Sequence, residues 1–366
     1  MSSTIRIEGR GPVALALRLL LEREGIPAGN ILADPIDDAL PDWLGSRALA
    51  LSLGSLQALS RIAPRCAPAA ILESPGIAAP IQIVDVTRER TSGGARIEAA
   101  GLGVPMLGAV FRYSTLHRLL REAVSTQVAP ISSGNVSPSL TVIADGETDP
   151  STAIRKRDFG QVALLAEVEV ERDQPGWAYE RFTAEGPLAL LPLPEARRRA
   201  LVWCAPEDQC RSRAALDEAA FGQTLERAFG PLLGRLRLRS ARHLSPVTRR
   251  IGPLRRASDR VAIGNAAQSL HPVAGQGLNL GLRDAVVLAR QLGDANHDGR
   301  PLPDALDRFV ASRQTDREVL VAGTDLLASI TRPDLLRPLH GASLSVIDLC
   351  TPLRHTIARA LMFGLR

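Results

Sequence analysis

The apolar positions change period along the chain, and the changes mark its elements. Thr4 to Glu8 alternates apolar and polar residues and reads as a short strand. Gly9-Arg10-Gly11-Pro12 follows. From Val13 to Leu21 the apolar residues then fall on nearly every side, which predicts a helix to about Glu24 that is buried on most faces. Pro12 suits the first turn of that helix, where its missing N–H costs nothing. Ile31-Leu32-Ala33-Asp34 reads as a second strand ending in an acid. Strand, glycine-rich turn, helix and strand make a βαβ unit.

The middle of the chain has a different rhythm. Ile81 to Val86, Ala95 to Ala99, Val162 to Val170, Glu180 to Thr183, Ala189 to Leu193 and Ala200 to Cys204 read as strands separated by polar turns, which predicts a mostly antiparallel sheet. Phe111 to Val124 and Ala214 to Phe229 read as helices. Arg260 to Gly264 reads as a late strand that leads through a glycine-rich turn into a helix starting near Gly277. From Leu302 the pattern is helical to the C-terminus.

Composition narrows the picture. A chain of 366 residues suggests two domains or one large α/β unit. Hydrophobic residues make up 45% and charged residues 23%, which excludes a disordered or fibrous protein. Lysine occurs once, at Lys156, so the basic character is arginine. A net charge of +5 is mild for this length, and 3% aromatics argues against stacking platforms for single-stranded nucleic acid, so no nucleic-acid partner is expected. Cys66, Cys204, Cys210 and Cys350 are scattered and form no Cys-x-x-Cys pair, so no metal site is expected and the thiols read as reduced and buried. The N-terminal residues carry no basic segment followed by an apolar stretch. The longest apolar tract, Val13 to Leu21, is interrupted by Arg18 and is too short to span a bilayer. The expectation is a cytoplasmic protein that can still touch the inner face of a membrane.

Three motifs carry chemistry. Gly9-x-Gly11-x-x-Ala14 allows a tight turn and a close approach of backbone N–H groups to a pyrophosphate at a helix N-terminus, and Asp34 is placed to bind a ribose hydroxyl. Alone this spacing is weak, since an ordinary strand–turn–helix has the same look. Arg6 and Glu8 also fit poorly in a strand that should be buried. Thr141 to Gly146 is a strand ending in Asp145-Gly146, by itself a turn signal. The strong signal is the run from Val261 to Ala285: a strand, a turn bearing Asn265, and a glycine-rich loop (Pro272, Gly275, Gly277) that opens a helix near Leu278 and Asn279. The free N–H groups of such a helix start suit an anionic or electron-rich ring.

This run resembles the signature of flavin monooxygenases of the para-hydroxybenzoate hydroxylase fold, and more narrowly the ubiquinone-biosynthesis hydroxylase family. The likeness covers most of the chain. Gly9 to Gly25 looks like the family's FAD fingerprint, Ser46 to Ser52 like its arginine segment, and Asp145-Gly146 like its second FAD motif. Arg157 to Gln161 and Glu180 to Leu193 look like its substrate sheet, and Phe309 to Arg317 with Ala322 to Asp325 like its C-terminal helices. The resemblance implies that Gly9 and Gly11 face the FAD pyrophosphate, Asp34 the adenosine ribose and Arg47 the phosphates. Asp145 and Gly146 would lie along the cofactor. Gly264 and Asn265 would stand beside the ribityl chain, and Pro272, Gly275, Gly277, Leu278 and Asn279 would border the isoalloxazine. It further implies reduction of FAD by NADH or NADPH, a flavin C4a-hydroperoxide, and hydroxylation of the ring of a polyprenyl phenol.

The chain departs from that pattern in places. Asn265 replaces an aspartate, Gln268 a histidine and Ala14 a glycine, and the stretches from Ser125 to Ala144 and from Glu147 to Arg157 are short. These departures support an alternative, a flavin-poor and catalytically weak paralogue acting as an accessory or assembly subunit. Nine arginines between Gly234 and Arg260 face one acid, Asp259; they read as a solvated face or as a patch for phosphates, anionic lipid or an acidic partner. His271 reads as structural rather than as a base. Leu353, Ile357, Leu361 and Leu365 recur at four-residue spacing, as on a helix that docks on its own domain, a partner or a membrane.

The expected architecture is α/β, with a Rossmann-like FAD-binding domain from 1–75, 102–160 and 245–330. A mostly antiparallel substrate sheet is inserted from 76–101 and 161–244, and 331–366 forms a C-terminal helical segment. The expected partners are a lipid-soluble phenol or quinone precursor and a membrane surface or multiprotein complex.

Overall fold

A computed structural model describes residues 4–35, 40–74, 76–89, 94–124, 137–146, 152, 154–329 and 351–364. The first unit forms as the sequence predicts. Strand β1 (Ile5–Glu8) leads into helix α1 (Pro12–Arg23), with Pro12 in its first turn, and the chain returns through β2 (Ile31–Ala33). The apolar surround of α1 is used, since Ala14 to Leu21 are all buried.

Next come a short helix α2 (Asp42–Gly45), β3 (Ala48–Ser52), α3 (Leu53–Ser60) and α4 (Pro68–Glu73). Strands β4 (Ala79–Ile81), β5 (Ile83–Arg88), β6 (Gly94–Glu98) and β7 (Gly108–Arg112) precede helix α5 (Tyr113–Ala123) and strand β8 (Leu140–Ile143). Two expectations need correction here. The strand from Ile81 is two strands, and the helix expected from Phe111 starts at Tyr113. Phe111 and Arg112 belong to β7, paired with Leu49 and Ala48; cross-strand bonding wins over a local pattern that has no glycine or proline to mark the boundary.

The long strand β9 (Arg155–Val170) opens the second half, followed by β10 (Trp177–Phe182), β11 (Pro187–Pro192) and β12 (Arg198–Ala205). The helix expected from Ala214 is instead two, α6 (Glu207–Ala215) and α7 (Glu218–Phe229). The break falls where Asp217 caps α7 by accepting from the Ala220 N–H at 2.7 Å. Strands β13 (Leu236–Leu238), β14 (His243–Ile251), β15 (Arg255–Ala257), β16 (Arg260–Ala262) and β17 (Gln268–Ser269) lead to the long helices α8 (Gln276–Asp298) and α9 (Leu302–Ser329). Helix α10 (Thr351–Phe363) closes the described chain.

Three sheets organise these elements. A five-stranded sheet has the order β15-β16-β8-β1-β2, with β16, β8, β1 and β2 parallel. A three-stranded sheet has the order β3-β7-β4. A nine-stranded sheet runs β17-β14-β9-β12-β11-β10-β5-β6, with β13 beside β9, and is antiparallel except where β10 meets β5. Ile5, Ile7, Val142 and Val261 on one face of the parallel sheet pack on α1 and α8. The outer face of the nine-stranded sheet packs Leu190, Leu201 and Trp203 on Phe221, Leu225 and Phe229 of α7. Its inner face, through Ala178, Leu191 and Ala200, joins a core that includes Leu51, Phe111 and Leu282.

Within this frame Arg6 and Glu8 are accommodated because they point away from the apolar face: Arg6 is exposed and lies 3.6 Å from Glu8. The basic segment does not form one patch. Its arginines are dealt out over β13 to β16, and Arg239, Arg249, Arg255 and Arg260 pair with Glu169, Asp325, Asp307 and Glu8. Helix α10 turns Ala358 and Met362 into the protein's own core, and the Met362 carbonyl accepts from the Ser52 hydroxyl at 2.9 Å. The side chains of Leu353, Ile357, Leu361 and Leu365, like the short stretches at 125–136 and 147–151 and Cys350, lie outside the described residues. Cys66, Cys204 and Cys210 are buried free thiols.

Candidate functional site

The C-terminal ends of β1 and β8 and the N-terminal ends of α1 and α8 meet at one edge of the parallel sheet. At β1 the chain turns through Gly9, whose φ is +131°. A Cβ there would lie 2.4 Å from the Ala144 carbonyl oxygen, so only glycine lets the turn pass under the end of β8. The Gly9 N–H donates to Asp34 Oδ2 at 3.0 Å, which brings the acid at the end of β2 onto the turn.

Gly11 differs. A Cβ on it would meet nothing closer than the Tyr113 hydroxyl at 3.5 Å, an ordinary contact, so no internal packing demands glycine there. Gly11 is also the N-cap of α1 and supplies no capping side chain. Room is thus kept beside the exposed N–H groups of a helix start.

Tyr113 and His117, one turn apart on α5, support this loop. Their rings stack with centroids 5.9 Å apart, and His117 Nε2 donates to the Arg10 carbonyl at 3.1 Å. Burial lowers the His117 imidazole and raises the Tyr113 phenol, the latter against the neighbouring Arg47. Arg47 is exposed, and its carbonyl accepts from the Tyr113 N–H at 2.8 Å. Neither Tyr113 nor His117 stands out in the sequence; their four-residue spacing on a helix is the one available signal. Asp145 and Gly146 are exposed at the end of β8, where Gly146 has φ +89° and open space around it.

The second helix start at this edge, the other end of a candidate cofactor groove, is built by the run after β16. Gly264 packs against Gly281 of α8 so closely that a Cβ on Gly281 would lie 2.9 Å from the Gly264 Cα and from Val13 of α1. Asp284 locks the crossing. Its Oδ2 accepts from the Gly264 N–H at 3.1 Å and from Gln268 Nε2 at 2.8 Å, and its Oδ1 accepts from Arg313 Nε at 2.8 Å. Gln268 is therefore a buried structural residue.

His271 is structural as well. Its Nδ1 accepts from the Val273 N–H and its Nε2 donates to Gln161, both at 3.1 Å, and burial pushes its imidazole down to about 4. A neutral, doubly bonded ring fixes the turn and has no free nitrogen to act as a base.

Gly275 caps α8 with φ +59° and no capping side chain. Asn279 then clips the helix start to β3: Oδ1 accepts from the Ser52 N–H (2.8 Å) and the Ser55 hydroxyl (2.7 Å), and Nδ2 donates to the carbonyls of Ala50 and Gly275 (both 3.0 Å). All its bonding capacity goes to protein, so it shapes the border without offering a side-chain bond to a ligand. Leu278 packs on the central core, Pro272 is exposed, and exposed Asn265 has its Oδ1 3.7 Å from where a Gly277 Cβ would sit.

These residues fit a dinucleotide carrying a flavin. Two helices start uncapped at one sheet edge, and a Cβ on Gly11, Gly275 or Gly277 would meet nothing closer than 3.4 Å. One helix start suits an anionic pyrophosphate and the other an electron-rich ring.

Known proteins agree with that fit. The fold is that of flavin-dependent monooxygenases and halogenases. The flavin-dependent brominase Bmp2 superposes with a TM-score of 0.74 at 15% identity, covering 99% of this chain and 93% of that one. The p-nitrophenol 4-monooxygenase of Pseudomonas putida superposes with 0.73 at 15% identity, covering 100% and 99%. Residues 135–323 match the model of the FAD binding domain, and the chain belongs to that family. Among curated relatives, the ubiquinone hydroxylase UbiL of Rhodospirillum rubrum is 34% identical over 267 residues, covering 66% of this chain and 62% of UbiL. The 3-demethoxyubiquinol 3-hydroxylase of Escherichia coli is 27% identical over 359 residues, 88% of each. The human ubiquinone biosynthesis monooxygenase COQ6 is 29% identical over 239 residues, and the match spans about half of each protein, 55% and 51%.

Proposed function

We propose that this chain is an FAD-dependent monooxygenase that hydroxylates the aromatic ring of a polyprenyl phenol in ubiquinone biosynthesis, with NADH or NADPH as electron donor. The observation that carries the reading is the pair of uncapped helix starts at one sheet edge, each beside glycines that internal packing does not demand. The names of the relatives supply the substrate class.

When bound, FAD supplies the redox and oxygen chemistry. The chain's own residues hold and orient. The turn Gly9–Gly11 and the start of α1 receive the pyrophosphate, with Arg47 alongside. Asp34, held by the Gly9 N–H through Oδ2 and with its Oδ1 3.9 Å from Arg6, would bind a ribose hydroxyl. Asp145, Gly146 and Asn265 border the groove between its ends. The start of α8 from Gly275 to Leu278 would border the ring, and its free N–H groups would stabilise negative charge there. The apolar part of the inner face of the nine-stranded sheet would shield the substrate from water. A lipid-tailed substrate would draw the protein to the inner face of a membrane or into a multiprotein complex. Among the described residues no helix is long and apolar enough to cross a membrane.

The test is to purify the full chain, record its flavin absorbance, and measure NAD(P)H oxidation and ring hydroxylation with a prenylated phenol. Yellow protein and a hydroxylated product are expected. A colourless protein that takes up no added FAD overturns the proposal and leaves the accessory-subunit reading.

A further inference from the structure

The inner face of the nine-stranded sheet carries one acid that its surroundings do not explain. Strand pairing sets Glu180 of β10 beside Ala189 of β11 and Val86 of β5 on that face. Val202 and Leu165 continue the row across β12 and β9, and Ala178 and Phe182 flank Glu180 along β10. All six neighbours are apolar. Ala178 and Leu191 of the same face join the core on which Leu278 of the α8 start packs, so the face that carries Glu180 is continuous with the core at the ring end.

Other carboxylates of this sheet meet arginines: Asp85 meets Arg96 at 3.1 Å, Glu169 meets Arg239 at 2.8 Å, and Glu167 meets Arg112 at 2.5 Å and Arg198 at 2.9 Å. Among the described residues, none gives the Glu180 carboxyl a hydrogen bond or an ion pair. Glu180 is half-buried, so its carboxyl is desolvated by apolar neighbours without being sealed in closed packing. An acid set without a partner among apolar neighbours is a site for a polar group that arrives with a ligand.

We propose that Glu180 receives the ring hydroxyl of the phenolic substrate and takes its proton, an assignment that rests on the function proposed above. The phenol O–H bond breaks and a carboxyl O–H bond forms. The electron pair stays on the phenolate oxygen, which enriches the ring for attack on an electrophilic oxygen; nothing is oxidised or reduced in this step. Burial pushes the Glu180 carboxyl up to about 8. An ordinary glutamate lies about six units below a phenol, and this one about two, so proton transfer to it is much less uphill. Arg88 shares this face of β5, opposite Phe182, yet burial alone shifts the Glu180 carboxyl, and the remaining neighbours bring no competing charge. Val86 and Ala189 bring none, the Cys204 thiol from β12 is held protonated by burial, and Glu167 is neutralised by its two arginines. His243 stands exposed at the outer end of the row.

The test uses the full flavin-loaded chain, 2-prenylphenol as probe and Glu180→Gln. Flavin content is expected to be unchanged in the variant, with phenol binding weakened less than about tenfold and product formation lowered about a hundredfold or more. The wild-type rise in rate through pH of about 8 should vanish in the variant. Infrared difference spectra supply a readout free of turnover: a protonated-carboxyl band present near neutral pH, absent from Glu180→Gln, and shifted when 2-prenylphenol binds. Product formation within about threefold of wild type with the same pH profile, or a band that ignores the phenol, overturns the assignment. A wild-type chain that holds no flavin yet shifts the band keeps the assignment and removes the proposed function; hydroxylation with an unmoved band does the reverse.

Discussion

The two ends of the groove are built by opposite means. At the ring end, Asp284, Gln268, His271 and Asn279 are buried and hydrogen-bonded: Asp284 to the Gly264 N–H and Gln268, His271 to the Val273 N–H and Gln161, and Asn279 to Ser52 and Ala50. At the adenosine end, the sheet edge presents a half-exposed string of charge. Arg6 lies 3.6 Å from Glu8 and 3.9 Å from Asp34, and Arg260 lies 3.2 Å from Glu8. A buried polar network holds atoms to a fixed geometry because any displacement leaves an unpaired group in a low dielectric, whereas exposed ion pairs rearrange in water at little cost. Precision is concentrated where a reacting ring would lie, whereas at the other end, among the described residues, the fixed features are the glycine turn and the His117 bond to the Arg10 carbonyl.

The contrast can be broken in graded steps. The largest effect is expected from Gly9→Val, which forces a branched side chain into a φ of +131° and onto the Ala144 backbone. A loss of about 4 kcal/mol should appear as a lowered melting temperature or failure to fold. Asn279→Leu removes all four bonds of the α8 clip. About 3 kcal/mol is expected in denaturant titration, with flavin content falling in parallel.

Acid should reveal His271. Its folded value of about 4 lies below the ordinary 6.5, so between those values the unfolded chain binds more protons. Stability is therefore complete above about 6.5 and falls as the pH drops toward 4, by on the order of 3 kcal/mol, and His271→Asn should flatten that slope. Gly277→Trp should leave apoprotein stability within about 1 kcal/mol, because the nearest atom to a Cβ there is 3.7 Å away, yet abolish flavin retention. Arg260→Ser should change stability by less than about 0.5 kcal/mol. If it destabilised as much as Asn279→Leu, the two ends would not differ in kind.

Much of this was legible in the chain. The glycine turn, the all-round apolar helix and the acid after β2 are local features, set by backbone freedom and period, and they formed as predicted. The start of α8 fell at Gln276, next to the expected Gly277. Errors arose where partners distant in sequence decide. Phe111 is a strand residue because Leu49 pairs with it. His271 reads as structural and is so, but its partner Gln161, like the Asp284 that holds Gln268, is brought from a distant element. Read along the chain, the nine arginines leave a solvated face and a patch both open; the fold pairs four of them, Arg239, Arg249, Arg255 and Arg260, with four separate acids.

The sequence by itself determined the strand–turn–helix units, the glycines that let helix starts lie bare, and the resemblance that named the cofactor, because each depends on neighbours within a few residues. Only the tertiary structure decided which polar residues are spent on holding the protein and which face the groove. Asn279 reads as a ligand contact and is fully engaged by β3, while Glu180 reads as one more polar position in a strand and stands without a described partner in an apolar wall. Burial and partnership are properties of how sheets and helices close on one another, and no local pattern encodes them.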